Sequence, residues 1–574
     1  MSLDHEKQID YLNNIIKEQA IHIEDLTARI KEQATTIEEL RALVDELRSL
    51  KANLEETLEE MRRQLFGTKS EKTSVKDKTD DELTNEDTDA KSVNIKVKEH
   101  TRTRKPKKTR EDLYADLPTK DVICYVPDEE RRCAYCNAEM KLMCYKEVRT
   151  ELRITPAKVE KIRYLQEVLI CPERKKDGDG TIVEAKTPTP LLPHSPASPS
   201  IVAYVMYQKS FVSIPYYRQE ACMFQLGLKL PRETMANWYI HGALNYFEPI
   251  YELMHEQLLK REIIHADETV CQVLREDGKT AESNSYMWIY LSGNDGLPSI
   301  VLYDYEAGRS SNFPKNFLEG FSGMVQCDGY SGYNKVEDVT LVCCTAHCRR
   351  KFFEAIPAQR RKQFKLLDIN SEEAIPRLEL PTPEDIKKMI PAEVGLIYCN
   401  QLFFIEKGLK GMPPEIRKAK RLELEVPVWN AFWEWIDKLD PLGGSKLAKA
   451  VTYAKNHRET LCNYLLDGRC ELSNNAAERR AKAYAIGRKN FLFHTSVSGA
   501  NASAIVYSII ETAKANKLNV YQYLYMLLLY MPDYKNEPKG IEMLLPWSDF
   551  IKERCTGVID TETITPENRG SLQI

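Results

Sequence analysis

The sequence predicts a multidomain chain built around a mixed α/β sheet, with a coiled coil at its N-terminal end and helical segments before, within and after the sheet. Three observations carry this. At 574 residues the chain exceeds the length at which one hydrophobic core stops growing. Isoleucine or valine recurs at every seventh position from Ile9 to Val44, the spacing of a supercoiled helix seam. Short runs rich in β-branched and aromatic residues, separated by glycine, fill residues 263–345, whereas 200–259 and 353–470 read as helix.

Taking Ile9, Ile16, Ile23, Ile30, Ile37 and Val44 as heptad position a places Leu12, Leu26, Leu40, Leu47 and Leu54 at d, and the seam continues through Leu58, Met61 and Leu65. β-Branched residues at a with leucine at d favour a parallel dimer, and polar Gln19, Gln33 and Lys51 on the seam fix register and strand number. Residues 1–66 are therefore expected to form a parallel coiled coil that makes the chain a homodimer or higher oligomer.

Residues 67–120 are polar, charged and poor in aromatics, the composition of a disordered linker. The linker ends in a basic block of Arg102, Arg104, Lys105, Lys107, Lys108 and Arg110, which can neutralise phosphates or serve as a solvated tail. Residues 121–186 form a small β-like, zinc-ribbon-like module. It holds Cys133 and Cys136 in a C-x-x-C pair and Cys171 in a second pair whose last cysteine is replaced by Arg174. Thiolates at that spacing reach one Zn²⁺ from a tight turn; with the second pair incomplete, the module reads equally as a degenerate knuckle without metal. After a Pro/Ser-rich connector, residues 187–260 read as helices. Tyr216 to Leu226, the turn at Gly227 and a second helix opening at Pro231 have the outline of a helix-turn-helix, with Arg232, Thr234 and Asn237 able to face DNA.

The formal charge of −5 and pI near 6.2 exclude an overall positive field, so nucleic-acid binding must rest on local basic patches. The 15 cysteines, odd in number and scattered, suit a reducing cytoplasm. No apolar run approaches the roughly 18 residues a membrane span requires, so no membrane partner is expected.

Within 261–352, Ile263 and Ile264 read as the end of a buried strand, with Asp267 just beyond it. Strands follow at Ser285–Leu291, Ser299–Tyr305, Gly323–Cys327 and Leu341–Thr345, with a helix near Asn312–Phe321 and another opening at A-H-C-R-R-K-F-F. Three antiparallel-capable strands, a crossover helix and further strands are the order of a ribonuclease H-like α/β sheet. Asp267 and Asp328 fall at the ends of its first and fourth strands. Residues 353–470, with Trp429, Trp433 and Trp435, read as a helical insertion. The sheet domain resumes over 471–530, where Glu478 is followed by Arg479, Arg480, Lys482, Arg488 and Lys489, and 531–574 form a tail. Two carboxylates at strand ends and one on a helix suit a pair of hard divalent cations. Glu268 and Asp304 are rival ligands, but Glu268, adjacent to Asp267 on a strand, would face the other side of the sheet.

The chain resembles transposases of the insertion sequence 66 family, a branch of the Asp-Asp-Glu transposases, in an ordered set of motifs. These are R-R-Q-L-F-G-T-K-S-E-K, the Cys133/Cys136 module, L-P-H-S-P-A-S-P-S, P-Y-Y-R-Q-E, H-A-D-E-T, Y-M-W-I-Y, Q-C-D-G-Y-S-G-Y, A-H-C-R-R-K-F-F, N-N-A-A-E-R-R, G-R-K-N-F-L-F and E-T-A-K-A-N. The resemblance implies a bacterial, nucleoid-associated enzyme that binds the terminal inverted repeats of an insertion sequence, then cleaves DNA and transfers strands. It implies a catalytic, metal-binding triad of Asp267, Asp328 and Glu478 holding two Mg²⁺ or Mn²⁺ ions, and element-encoded helper proteins. Expected DNA contacts are Arg232, Asn237, His347, Arg349, Arg350, Arg479, Arg480, Arg488 and Lys489. The chain departs from the family pattern at the incomplete second C-x-x-C and at His194, which stands where glycine is usual.

Overall fold

The computed structural model describes residues 188–361, 389–534 and 539–557 without a break, together with positions within 16–33, 158–184 and 559–566 and residues 382 and 384. The chain divides into two units, 1–66 with 158–574 and 67–157, and every described residue belongs to the first. The linker, the basic block, Cys133, Cys136 and Cys171 lie outside the described residues. So do most heptad positions; Ile16, Ile23, Leu26 and Ile30 are described, and all four are helical and exposed. Of the expected cysteine module, the antiparallel pair β1 (Val168–Ile170) and β2 (Ile182–Glu184) is described.

The helical region begins at Pro199–Met206, where the Ser198 side chain accepts from the Ile201 amide and Pro199 fills the first turn, as its fixed φ favours. Tyr216–Gln225 and Arg232–Gly242 follow, joined through Gly227 at φ +83°. Pro231 is the N-cap of the second helix, one position earlier than the expected first-turn place. Arg232 and Asn237 are exposed, while Met235, Trp238 and Tyr239 turn into the core. His194 has φ +58°, a left-handed conformation that glycine adopts without the Cβ penalty of about 1 kcal/mol. The family's glycine at this position therefore has a backbone reason.

The main sheet is built from β3 (Ile263–Arg275), β4 (Asn284–Ser292), β5 (Val301–Glu306), β6 (Gly323–Cys327) and β7 (Val339–Cys343), in the order β5-β4-β3-β6-β7. The first three are antiparallel; β6 runs parallel to β3, and β7 parallel to β6. The expected strands are all present. One expectation about them is corrected: Asp267 does not lie beyond a strand end but inside β3, which runs 13 residues. The antiparallel partner β4 carries the ladder past Asp267 to Gln272, whereas the parallel partner β6 reaches only His265. A short strand that the sequence does not announce, β8 (His494–Ser496), joins the same edge of β3 from Val273. The edge of β3 is thus open between His265 and Val273, and Asp267 sits in that window.

Period-two alternation gives the sheet two apolar faces. Cys271, Val273, Met287, Ile289 and Tyr303 pack on one side against Ala477, Ala481, Tyr484, Ala500, Ala504 and Tyr507; the alanines let two helices lie close to the sheet. Ile264, Ala266, Trp288, Tyr290 and Leu302 point the other way into the larger core, where Tyr290 stacks on Phe317 with ring centroids 3.8 Å apart. The helix Val497–Ala515 also covers the edge strand. Thr512 Oγ1 accepts from the Val301 amide at 3.0 Å and donates to its carbonyl at 2.9 Å, and Ser508 Oγ accepts from the Tyr303 amide at 2.7 Å. These side chains satisfy backbone groups that a bare edge would expose.

The insertion is helical in its described part: Pro391–Leu409, Pro414–Leu424, Val426–Asp437, Lys446–Asn456 and Arg458–Cys462. Trp429, Trp433 and Trp435 are core residues, and Trp429 and Trp433 stack with centroids 5.3 Å apart. At its centre the fully buried Arg421 binds both carboxylate oxygens of Glu406, at 2.6 and 3.0 Å, and donates to the carbonyls of Tyr464, Asp467 and Cys470. This one guanidinium ties two helices of the insertion to the irregular segment that returns to the sheet.

Candidate active site

Three separate elements bring acids to the open window of β3. Asp267 is in the strand, and its Oδ1 accepts from the Glu268 amide at 2.9 Å. Asp328 follows the end of β6. Its Oδ1 accepts from the Tyr330 amide at 2.9 Å and its carbonyl from the Tyr453 hydroxyl at 2.8 Å, which fixes the turn. Gly329 in that turn has φ +90°, and a Cβ there would stand 3.0 Å from His457 Nε2 and Tyr453 Oη, so only glycine fits. Glu478 lies in the first turn of the helix Asn475–Phe491, where the helix dipole favours an acid.

The returning segment 471–474 is stitched across three strands. Gln326 of β6 exchanges bonds with Glu471, donating to its carbonyl at 2.5 Å and accepting from its amide at 2.9 Å. The Thr345 amide, just after β7, donates to the Leu472 carbonyl at 3.1 Å. Asn474 is buried and donates from Nδ2 to the Ala266 carbonyl at 2.7 Å, while the His265 ring donates from Nδ1 to its Oδ1 at 3.1 Å. Its own amide donates to Cys344 Sγ at 3.1 Å. Asn474 thereby fills the free edge of β3 one residue before Asp267 and four residues before Glu478. Sequence reasoning assigns this asparagine no role, although it stands in the N-N-A-A-E-R-R motif; the available signal is a polar pair immediately ahead of a helix start.

Crowding of acids sets the electrostatics. Burial, then Glu268 and Asp328, with Glu478 further off, push the Asp267 carboxyl up to about 8 despite its backbone hydrogen bond. Glu268 is raised as well, chiefly by burial and by Asp328. As expected from strand alternation, Glu268 faces the opposite side, where Tyr333 Oη donates to it at 3.3 Å and Arg309 pairs with it. Arg309 also approaches Asp328 Oδ2 at 3.9 Å and lies 4.0 Å from the centroid of the Tyr330 ring. Sequence reasoning does not find Arg309.

On the other side, Glu478 has His347 Nε2 at 3.7 Å and Arg350 at 3.8 Å. Burial lowers the His347 pKa, against the pull of Glu478 and Asp328, so the ring is neutral near pH 7. Glu478 Oε1 and His347 Nδ1 are buried with no hydrogen-bond partner among the described residues. Among the described residues, the trio of candidate ligands whose donor atoms all lie within 4.8 Å of one another is Cys344, His347 and Glu478. The three acids Asp267, Asp328 and Glu478 share an electrostatic neighbourhood without closing to that distance. Orphaned donors and acids crowded at high cost fit a site for hard divalent cations.

The expected phosphate contacts divide. Arg350 and Arg479 are exposed near Glu478, His347 is half-buried beside it, and Lys489 is exposed towards the far end of the Glu478 helix. Arg349 is buried and donates to Asn400 Oδ1 at 2.6 Å; the winding of the helix Thr345–Ala355 turns it into the core, which removes it from any surface that meets DNA. Arg480 likewise turns away, to buried Glu511 at 2.6 Å. Arg488 donates to the Val270 carbonyl, satisfying the open edge of β3.

A mixed α/β core carries this acidic window, with a helical insertion before its last acid. Similarity to known proteins specifies it further. The family described as Transposase IS66 family matches residues 194–502, Transposase C of IS166 homeodomain matches 53–122, and the IS66 C-terminal element matches 508–547. The chain belongs to the IS66 transposase family. It is 25% identical to the uncharacterized protein y4hP of Sinorhizobium fredii over 86% of this chain and 88% of that one. It is 28% identical to y4qI of the same organism over 65% and 66%. A chain of the Drosophila P element transposase strand transfer complex is similar at 12% identity, covering 61% of this chain and 93% of that one, with a TM-score of 0.21. No helix among the described residues is long and apolar enough to cross a membrane.

Proposed function

We propose that the chain is a DNA transposase that binds the terminal repeats of its insertion sequence, cleaves there and joins the freed ends to target DNA. The observation that carries this reading is the meeting of acids from β3, from the end of β6 and from the helix Asn475–Phe491 beside one open strand edge. On this reading the sheet is ribonuclease H-like, and Asp267, Asp328 and Glu478 hold two Mg²⁺ or Mn²⁺ ions. Bound there, the ions would polarise the scissile phosphate and make the attacking oxygen a better nucleophile. Water is the nucleophile in cleavage, leaving a 3′-OH. That hydroxyl attacks target DNA in joining, with the phosphodiester bond exchanged and no net oxidation.

The residues around the acids have separate tasks. Arg350 and His347 flank Glu478, where they can meet a phosphate held beside its carboxylate. Arg479 binds phosphate beside the site and Lys489 binds it further along the same helix, and Arg232 and Asn237, exposed on the second helix of the helix-turn-helix-like pair, meet the repeat. The exposed Ile16, Ile23, Leu26 and Ile30 are what a parallel coiled-coil seam leaves open in a single chain, so a homodimer or higher oligomer is part of the proposal. Helper proteins and a bacterial cytoplasmic, nucleoid-associated location stay with it as the resemblance implies them, while Cys133, Cys136 and Cys171 remain either a zinc site or a degenerate knuckle without metal.

The reading is tested with duplexes bearing the element's ends. Cleavage is expected with Mg²⁺ or Mn²⁺, lost in a chelator, and should leave a 3′-OH; pre-cut ends should then join to plasmid DNA. Cutting without joining would mark a nuclease, and binding without cutting, even with the neighbouring gene products added, a regulator.

Asn474 is proposed as a positioning residue. Asn474→Ala removes two buried hydrogen bonds and should lower stability by about 1–3 kcal/mol. It should also raise the Mg²⁺ concentration for half-maximal cleavage roughly tenfold. A metal titration that coincides with that of the unaltered protein, despite a lower melting temperature, would leave Asn474 with a structural role alone.

A further inference from the structure

The helix that carries Glu478 has an exposed face made of Arg479, Lys482, Ile486 and Lys489, spaced by three and four residues as one helical stripe requires. It ends in an unusual tip. Leu492 has φ +68° and ψ −56°, and the Phe493 amide donates back to the Phe491 carbonyl at 2.9 Å. This is the uncommon, strained form of the γ-turn, and in it a leucine takes a conformation suited to glycine. Both apolar side chains point outward: Leu492 is 61% exposed and Phe493 40%, with Ile486 behind them at 57%.

The tip is held from both sides. Phe491 turns inward, with the buried Lys209 ammonium 4.5 Å from its ring centroid. His494 is buried in β8, where it meets the Tyr484 hydroxyl at 3.0 Å and stacks on the Tyr484 ring. Two rigidly presented apolar side chains at the end of a basic stripe suit one kind of partner. The bases attract a phosphate backbone, and an apolar wedge gains by entering a base step. We infer that Leu492 and Phe493 form a wedge that unstacks DNA lying along this helix face. The inference rests on the DNA-handling role proposed above. At 1.5 Å rise per residue the tip is about 21 Å from Glu478, so at 3.4 Å per base pair the opened step falls roughly six pairs from the scissile phosphate.

The test uses the full chain and end-bearing duplexes with 2-aminopurine at successive positions three to nine pairs from the cut. Fluorescence should rise at one step near the sixth pair. In a Leu492→Ser, Phe493→Ser double variant the rise should vanish and affinity fall about tenfold, with the melting temperature kept. Lys489→Gln should weaken binding and lower its salt dependence while keeping the rise. Leu492→Gly should melt higher, because the strain is relieved, and still lose most of the rise. A duplex bound and cut with no rise at any position overturns the wedge, as does a rise that survives the double substitution. If the double variant changes only self-association, the tip contacts a second copy and the DNA wedge is wrong. Failure to bind or cut the duplex at all is a failure of the transposase reading and takes the wedge with it.

Discussion

Asp267→Asn should abolish DNA cleavage and yet melt at a higher temperature than the unaltered protein when divalent metal is chelated. Asparagine keeps the shape, and its Oδ1 can still accept from the Glu268 amide, so the fold is undisturbed. What disappears is a buried carboxyl that Glu268, Asp328 and Glu478 keep from ionising freely. The folded carboxyl titrates near 8, against an ordinary value of 3.8. Stability from the protonated form is therefore complete below about pH 4 and is lost as pH rises toward 8. At neutral pH the folded carboxyl is still mostly protonated, and taking up a proton that the unfolded chain does not hold costs the fold a few kcal/mol, accumulating at about 1.4 kcal/mol for each pH unit between the two values; the amide escapes that cost. Melting curves from pH 5 to 9 in a chelator should show the two proteins converging at low pH and separating as pH rises. Added Mg²⁺ should raise the unaltered protein alone and close the gap. Cleavage should fall on the order of a thousandfold or more, since a ligand for the activating ions is gone. An Asp267→Asn protein that melts lower at every pH would mean that the acids are paired structural groups, and the metal-site reading would go with it.

The second large effect lies far from the acids. Arg421→Ala should destabilise by about 3–5 kcal/mol, the range for breaking a buried charge pair by removing one partner. Arg417 would still hold Glu406, at 2.5 Å, which places the loss toward the lower end. Glu425, pushed by burial up to about 8 with Glu406 near it, would also lose its neighbouring cation. The carbonyls of Tyr464, Asp467 and Cys470 lose their donor together, and they lie directly before the stitched segment 471–474. Cleavage should therefore fall further than the melting temperature implies, at a temperature where the variant is still folded. Hydrogen exchange should quicken first at Glu471, Asn474 and Glu478, and only later in β4. Uniform quickening across the sheet would show a global loss of stability with no special link to the third acid.

The sheet is legible in the sequence because its strands are short, apolar and punctuated by glycine, and Asp267 and Asp328 stand out as acids beside such strands. The length of β3 is harder to read: Val270, Cys271 and Val273 continue the strand pattern past Asp267, and only the antiparallel partner shows how far it runs. Strand alternation places Glu268 correctly. Less can be read where placement depends on partners far along the chain. Arg349 and Arg480 look like their exposed neighbours in sequence, and only Asn400 and Glu511 reveal that they turn inward. Arg309 pairs across the sheet with Glu268, and β8 is three residues long, too short for any periodicity. The coiled coil and the cysteine module rest on sequence pattern, apart from the four exposed seam residues and the β1–β2 pair.

The helical insertion that Arg421 organises also sets an order in time. Glu478 leaves the ribosome about 150 residues after Asp328, which at roughly 5–20 residues per second is a delay of about 8–30 seconds. Through that interval the nascent chain can lay down β3 to β7, but the edge of β3 has neither Asn474 nor β8 to occupy it. A polypeptide that stops anywhere in the insertion therefore carries two of the three acids on a sheet whose open edge lacks its own cover. Premature termination should yield an inert, aggregation-prone fragment rather than a partially active nuclease.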